Sequence, residues 1–468
     1  MTITRNFRLI CLSVIVLTVF YPSLFTPLCL VDDTNLIVFD TPDSRLSDLL
    51  HTLFYNGGYY RPLLVATFVL DNYLWLLQES FLHLENILLH LINMLLLYGV
   101  TERLGRRLAI PDTSNVPFWT ALLFGLHPLA TESVNWISGR PDPLACLFLL
   151  FSFRLLLDWC NKPSLARLFG MQCCFLLACL SKETAVFFVV PAQLMMIVFT
   201  TAQQEGKTKV APEWRQLLTS LLTVWPASLA FIVTTAGYFS LRRFTAVTTL
   251  GTDRGMNRLS LNTVQNLNES SIFDKIFEIF KTIGFYSKKI FIPWPLNFNI
   301  VDISDWYILG GLLTLILLTV FCWKRRDLVA GLFLSAVLVA SSALLVSVGK
   351  LAWTWYAERY LYISLIFFIP GGCFWLYEKI GDIWQGQLFR ILLLLICGAS
   401  LITTVHRNLI WMDSFAFYED NYNKAPRLPL TIRNYATALA QQGRIKESNC
   451  LLRMLPKKPR VIKGTSKK

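Results

Sequence analysis

Apolar runs long enough to cross the ~30 Å hydrocarbon layer of a bilayer recur along most of this chain, and no other feature limits its fold as strongly. They fall at about 8–30, 82–100, 116–130, 143–158, 166–180, 184–200, 215–240, 307–323, 328–349, 360–377 and 388–405. A soluble chain of this length divides into two or three domains with polar loops, and such domains carry about 25% charged residues. Here 54% of the 468 residues are hydrophobic and only 16% charged, so the excess apolar surface needs lipid. The expected fold class is all-α, a polytopic membrane protein of about eleven transmembrane helices. The first run is long for the apolar core of a signal peptide, has no clear small-x-small cleavage site and is followed by further spans. It reads as a span.

The eleven cysteines lie mostly inside apolar runs and show no zinc-type spacing, so they read as small core residues; neither a metal nor a cofactor is expected. The net charge of +13 is spread over the connections between spans, with no aromatic-interleaved patch. Membrane topology accounts for it better than nucleic acid does. Arg5, Arg8, Arg103, Arg106, Arg107, Arg154, Lys162, Arg167, Lys207, Lys209, Arg215, Lys324, Arg325, Arg326, Lys379 and Arg390 all fall on one face under this span count. The positive-inside rule makes that face cytoplasmic, with the N-terminus on it and the C-terminal tail in periplasm or lumen.

Five segments then share the outer face: the first outer loop at 31–61, the link 127–143, the turn 181–184, the long outer loop at 241–305 and the link 350–359. In the first loop, Thr41-Pro42 makes a cap and first turn, and Leu46, Leu49, Leu50, Leu53 and Phe54 recur with helical spacing. In the long loop, Ile272, Phe273, Ile276, Phe277, Phe280 and Ile283 form a second stripe. Both read as amphipathic helices in the membrane interface. The membrane domain is assigned to 1–406. In the segment 407–456, Pro429, Asn434, Tyr435, Ala438, Leu439, Gly443 and Glu447 fit the spacing of one tetratricopeptide repeat. One repeat cannot bury its own apolar face, so it docks on the membrane domain, pairs with a partner or stays loosely ordered. Residues 457–468 are a solvated basic tail.

Charges at span ends are costly beside lipid and therefore informative. Asp32-Asp33 follows the first span at its outer end, either as a general base raised in pKa by partial desolvation or as the acidic end of a helix. On the second span His83, Asn86, His90 and Asn93 recur every three to four residues and face inward. They read as interhelical hydrogen bonding or, alternatively, as a proton path. The hairpin 127–142 holds His127, Glu132, Arg140 and Asp142. Lys182-Glu183, Arg242-Arg243 and Glu358-Arg359 each suit a surface ion pair or a membrane anchor. Together they supply cations on the same face as Asp32 and Asp33, as a phosphate-bearing lipid head group requires.

The order of these segments resembles a known family. It comprises Val31-Asp32-Asp33; Tyr59-Tyr60-Arg61-Pro62-Leu63; Leu84-Glu85-Asn86 with His90 and Asn93; His127-Pro128 with Glu132 and Gly139-Arg140-Pro141-Asp142; Leu180-Ser181-Lys182-Glu183; Pro293-Trp294-Pro295-Leu296-Asn297-Phe298; and Glu358-Arg359-Tyr360-Leu361-Tyr362. The sequence resembles the transmembrane and tetratricopeptide repeat-containing O-mannosyltransferases and their bacterial relatives, of the GT-C glycosyltransferase superfamily, over about residues 10–450. The resemblance implies transfer of a sugar, with inversion, from a polyprenyl-phosphate carrier to an acceptor on the outer face. It places a catalytic base at Asp32-Asp33 and donor-phosphate contacts at Arg61, Arg140, Lys182 and Arg242. His127, Glu132, Asp142, Glu183, Glu358 and Arg359 then support them. The family carries a long array of repeats where this chain has one, which leaves the acceptor open between protein Ser/Thr and glycan.

The expected function is thus an inverting transferase of a mannose-like sugar in a multi-pass membrane, with the lipid-linked donor, an acceptor and membrane lipids as partners. A bacterial inner membrane is favoured, or the endoplasmic reticulum in a eukaryote, where Asn268-Glu269-Ser270 would be a glycosylation acceptor. The rival readings are a flippase or transporter of lipid-linked sugar and a membrane scaffold. A transporter predicts internal repeats with broken helices at the midplane, and neither is legible here.

Overall fold

The computed structural model describes residues 4–33, 60–111, 114–205, 214–249, 271–349 and 354–455. The interfacial helix expected at 46–54, most of the first outer loop, the site at 268–270 and the basic tail lie outside the described residues. Seventeen α-helices are present among those described. In chain order they are α1 (Arg5–Phe20), α2 (Pro62–Trp75), α3 (Glu79–Arg107), α4 (Val116–Gly125), α5 (Ala130–Asn135), α6 (Pro141–Asn161), α7 (Leu165–Ser181), α8 (Val189–Glu205), α9 (Trp214–Thr249), α10 (Ile272–Phe291), α11 (Tyr307–Arg325), α12 (Leu328–Gly349), α13 (Tyr362–Ile380), α14 (Gln387–Met412), α15 (Ser414–Lys424), α16 (Pro429–Gln441) and α17 (Ile445–Arg453).

Nine helical segments among the described residues are long and apolar enough to cross a membrane, and the other two expected spans are the shorter apolar helices α4 and α7. At a rise of about 1.5 Å per residue α4 crosses only half a bilayer. Pro117 sits in its first turn and the chain breaks at His127-Pro128 beyond it, while Val116, Thr120, Ala121, Leu122 and Phe124 are all buried, so protein surrounds much of it. The bundle is graded from inside to outside. Half or more of the residues in α6, α12 and α13 are buried, whereas α11 turns Leu309, Leu313, Ile316, Leu317 and Trp323 outward. Such a continuous apolar outer face is what lipid requires.

Three of the four polar residues in the α3 stripe, Asn86, His90 and Asn93, make hydrogen bonds to neighbouring elements. His83, Asn86, His90 and Asn93 have no exposed surface. His90 Nε2 donates to Gly125 O at 3.1 Å, which leaves Nδ1 to accept from the Tyr362 hydroxyl at 2.8 Å. Asn93 donates to Pro143 O at 2.8 Å and Asn86 to Trp136 O at 3.1 Å, so α3 is tied to α4, α6, α13 and the hairpin between α5 and α6.

Three elements differ from their expected extents. α9 continues to Thr249, which puts Arg242 and Arg243 on a helix rather than in a loop, because a helix leaving the bilayer tolerates charge. The last span runs to Met412. An apolar helix α2, with Pro62 at its first position, precedes the second span. The second amphipathic stripe forms α10, opened by a capping box between Ser271 and Asp274, with Ile272, Phe273 and Phe277 more than half exposed.

The C-terminal helices dock on the bundle. Asp413 caps α15 by accepting from Phe415 and Ala416 N–H at 2.8 and 3.2 Å. Phe417 and Trp411 pack on Phe298, and the cluster extends to Cys29, Val31 and Trp136. α16 and α17 form a helix-turn-helix whose turn uses Gly443 at φ +76°, a left-handed angle that glycine adopts without strain.

Candidate active site

The tandem aspartates have unequal surroundings. Asp33 is 1% exposed. Its Oδ2 accepts the Cys29 N–H at 3.0 Å, and Oδ1 accepts the N–H and hydroxyl of Ser138 at 2.9 and 2.5 Å. Burial pushes its acid up to about 6, with the Ser138 hydrogen bonds opposing. Asp32 is half-buried, adopts a left-handed φ of 68° and receives no hydrogen bond from the described residues. Its acid is raised by burial, with Arg359 and then Arg61 opposing. Asp33 is thus a clamp that ties the turn to the hairpin, and Asp32 is the carboxylate left available.

Arg61 and Arg359 stand near Asp32, Lys182 stands near both of them, and each of the three cations is backed by a carboxylate. Arg61 grips Glu183 through two parallel hydrogen bonds of 2.6 and 2.8 Å. Lys182 Nζ lies 2.5 Å from Asp142 Oδ1; burial lowers the lysine's pKa and Asp142 opposes that shift. Arg359 pairs with Glu132 and also donates its backbone N–H to Glu132 Oε2 at 3.0 Å. Burial raises the Glu132 acid, which Arg359 most strongly opposes. The three cations feel one another, since Lys182 is influenced by both Arg61 and Arg359. Aromatic rings floor the group: the Arg359 guanidinium lies 4.8 Å over Trp136 and 5.0 Å over Tyr360, and Lys182 Nζ lies 5.7 Å over Tyr360. Trp136 Nε1 donates to Val31 O at 3.2 Å, joining this floor to the aspartate turn.

The remaining expected residues fall elsewhere. Arg140 has no exposed surface; it pairs with Asp71 and with Glu85 at 3.1 Å, donates to Asn86 Oδ1 at 3.0 Å and to Leu82 O at 3.1 Å, and lies 4.5 Å over the Phe68 ring. Its position between α2 and α3 makes it the anchor of the 136–142 hairpin. Arg242 stands one turn beyond Tyr238, whose ring packs 6.0 Å from Tyr60. His127 bridges backbone, donating from Nε2 to Ile290 O at 3.2 Å and accepting from Leu129 N–H at 3.3 Å, and burial pushes its pKa down to about 4. Glu358 holds Lys289 at 2.5 Å and accepts Asn297 N–H at 3.0 Å, which fastens the loop after α10. Asp71, Ser138 and Lys289 were not singled out from the sequence. A lone Asp inside the apolar run 62–75 was the available signal for the first.

Below Tyr286 and Leu361 an apolar cavity of about 480 Å³ opens between α10, α11, α12 and α13, lined by Ile290, Leu318, Phe333 and Phe368 among others. Leu361 is two residues from Arg359, so the cavity begins beside the cation group.

Protein O-mannosyl-transferase TMTC1 of Homo sapiens is 40% identical over 95 residues, 20% of this chain and 10% of that protein. The family resemblance drawn from the sequence is borne out. Protein O-mannosyl-transferase TMTC4 of Mus musculus is 33% identical over 144 residues, 26% of this chain and 19% of its own. Protein O-mannosyl-transferase TMTC3 of Mus musculus is 32% identical over 161 residues, 32% of this chain and 16% of its own. The chain therefore matches only a tenth to a fifth of the length of these O-mannosyl-transferases. No family model and no solved structure matches it.

Proposed function

We propose that the protein is an inverting glycosyltransferase that moves a mannose-like sugar from a polyprenyl-phosphate carrier to a protein Ser or Thr hydroxyl. The observation that carries this reading is the half-buried Asp32 carboxylate, without a hydrogen bond from the described residues, beside Arg61 and Arg359. Asp32 takes the acceptor's hydroxyl proton as the oxygen attacks the anomeric carbon. The bond from that carbon to the phosphate oxygen breaks, and polyprenyl phosphate leaves with its charge met by Arg61, Lys182 and Arg359. Lys182 directs one of its three N–H bonds at Asp142, which leaves others for a phosphate oxygen. The apolar cavity next to Arg359 suits the isoprenoid chain of the same molecule. Arg140 has no part in phosphate contact here; it holds the hairpin that carries Ser138 and Asp142.

The site sits at the end of the bundle away from the pairs Arg103–Asp158 and Arg325–Asp327. Those basic ends support a cytoplasmic face opposite Asp32, and hence transfer on the outer face with the C-terminal segment beside the site. The matched relatives are animal proteins, which favours the endoplasmic reticulum membrane over a bacterial one. The test is transfer by the purified protein in nanodiscs from mannosyl-phosphoryl-polyprenol to Ser/Thr peptides. A glycopeptide with inverted anomeric configuration is expected. Movement of donor across proteoliposomes with no transfer would replace the enzyme reading with the flippase.

A further inference from the structure

The left-handed turn at Asp32 is held from a part of the chain almost 400 residues away. Tyr418, on α15, is 4% exposed. Its hydroxyl accepts the Leu30 N–H at 2.8 Å and reaches Cys29 Sγ at 3.9 Å. Leu30 lies within the turn 29–33, whose other bonds are Trp136 Nε1–H to Val31 O, Asp33 N–H to Val31 O at 2.9 Å, and Cys29 N–H to Asp33 Oδ2. Each residue flanking Asp32 is therefore fixed, and a non-glycine residue keeps a positive φ only where its surroundings over-determine it. Hairpin contacts reach this turn from the membrane domain. Tyr418 alone among the side chains just named reaches it from the C-terminal helices.

Those helices are rigidly joined to one another and to the outer loop. Asp420 takes Arg407 of α14 and Lys424 at 2.6 Å each, and Lys424 also donates to Leu296 O at 2.6 Å. Tyr435 of α16 stacks on Tyr422 with ring centroids 5.1 Å apart and donates to Glu419 at 3.0 Å. A shift of α16 is thus passed to α15, and from α15 to Leu30.

We propose that Tyr418 is a positioning residue for the transfer reaction, through which the C-terminal helices set the place of the Asp32 carboxylate. This rests on the reading of Asp32 as the base. It acts through the backbone and touches no substrate, so its loss lowers turnover and leaves donor capture alone. A displacement of about 1 Å at a reacting group costs up to about 100-fold in rate.

Tyr418→Phe in the full chain tests it, since the ring keeps its packing against Phe417 and only the hydroxyl is lost. Amide hydrogen exchange over 27–33 and steady-state transfer are measured together. Expected are faster exchange at Leu30, kcat lower by about 10-fold and an unchanged donor KM, with Tyr418→Ala more severe on kcat. Unchanged exchange overturns the contact. Faster exchange with wild-type kcat, or a fall confined to donor KM, overturns the positioning role. If the unsubstituted protein transfers no sugar, the enzyme reading fails and takes the catalytic half of the proposal with it, while the exchange data judge the contact independently.

Discussion

Arg61 and Glu183 meet edge to edge, with two nitrogen–oxygen distances of 2.6 and 2.8 Å. The pair joins the end of the first outer loop to the turn after α7, and so sets Arg61 beside Asp32 and Lys182. Hydrogen bonds to charged groups contribute about 1.5–3 kcal/mol, which converts to roughly 10- to 100-fold in affinity. Arg61→Ala should raise the donor KM by about that factor. Glu183 has a 27% exposed side chain and keeps its access to water, so the variant should still insert and fold. Donor titration with size-exclusion profiles checks both halves.

Arg140 behaves oppositely. Arg140→Met strands the buried Asp71, and removing one partner of a buried pair costs about 3–5 kcal/mol. Thermal unfolding in detergent should show a large loss, with unaltered donor affinity in whatever fraction stays folded. Replacing Asp71 as well, with Leu, should recover part of the loss. A folded Arg140→Met protein with weakened donor binding would return Arg140 to the phosphate site.

The contrast between these two arginines shows what the sequence made legible. Apolar length gave the all-α membrane class and all eleven helical segments, because lipid leaves the backbone few alternatives. It also brought Asp32, Asp33, Glu132, Lys182 and Arg359 to one end of the bundle. Which cation stands beside Asp32 and which is enclosed between α2 and α3 depends on long-range packing. Nothing in Gly139-Arg140-Pro141-Asp142 announces Asp71, 69 residues upstream. The same holds for the aspartates: adjacent residues in one turn acquire a clamp and an available carboxylate only once Ser138 and Cys29 are in place.

Asp33 should give stability a pH dependence of definite sign. Its acid is raised in the folded protein to about 6 from an ordinary value of 3.8, so between those values the folded state holds the proton that the unfolded state has lost. Stability contributed below about pH 4 is therefore lost as pH rises through about 6, by roughly 1–3 kcal/mol. Asp33→Asn should flatten that slope. Because an amide nitrogen cannot accept from Ser138 or Cys29, it should also destabilise the protein at neutral pH. Unfolding measured from pH 4 to 7 for both proteins decides it; an unchanged slope in the variant would assign it to another group.

α10 and α11 cross at glycines. A Cβ on Gly284 would lie 1.9 Å from Tyr307 O, and one on Gly311 would lie 1.9 Å from Phe280 O. Both neighbours are backbone and cannot step aside. Gly284→Ala and Gly311→Ala should each force the helices apart and destabilise by about 1–3 kcal/mol. They should also open the apolar cavity, so that donors with a long isoprenoid chain suffer more than short-chain analogues. Equal effects on both donors would separate this cavity from the lipid chain.

The central claim is that Asp32 removes the acceptor's proton. Asp32→Asn keeps size and abolishes basicity, and the position carries no hydrogen bond from the described residues whose loss would unfold the turn. General-base catalysis is worth about 10²- to 10⁴-fold. Single-turnover transfer by Asp32→Asn, with mannosyl-phosphoryl-polyprenol saturating, should fall by that margin at unchanged donor affinity. In the unsubstituted protein the rate should rise with pH through a group titrating above the ordinary carboxylate range, because burial raises the Asp32 acid and its charged form does the work. A wild-type rate in the folded Asp32→Asn variant would contradict the account.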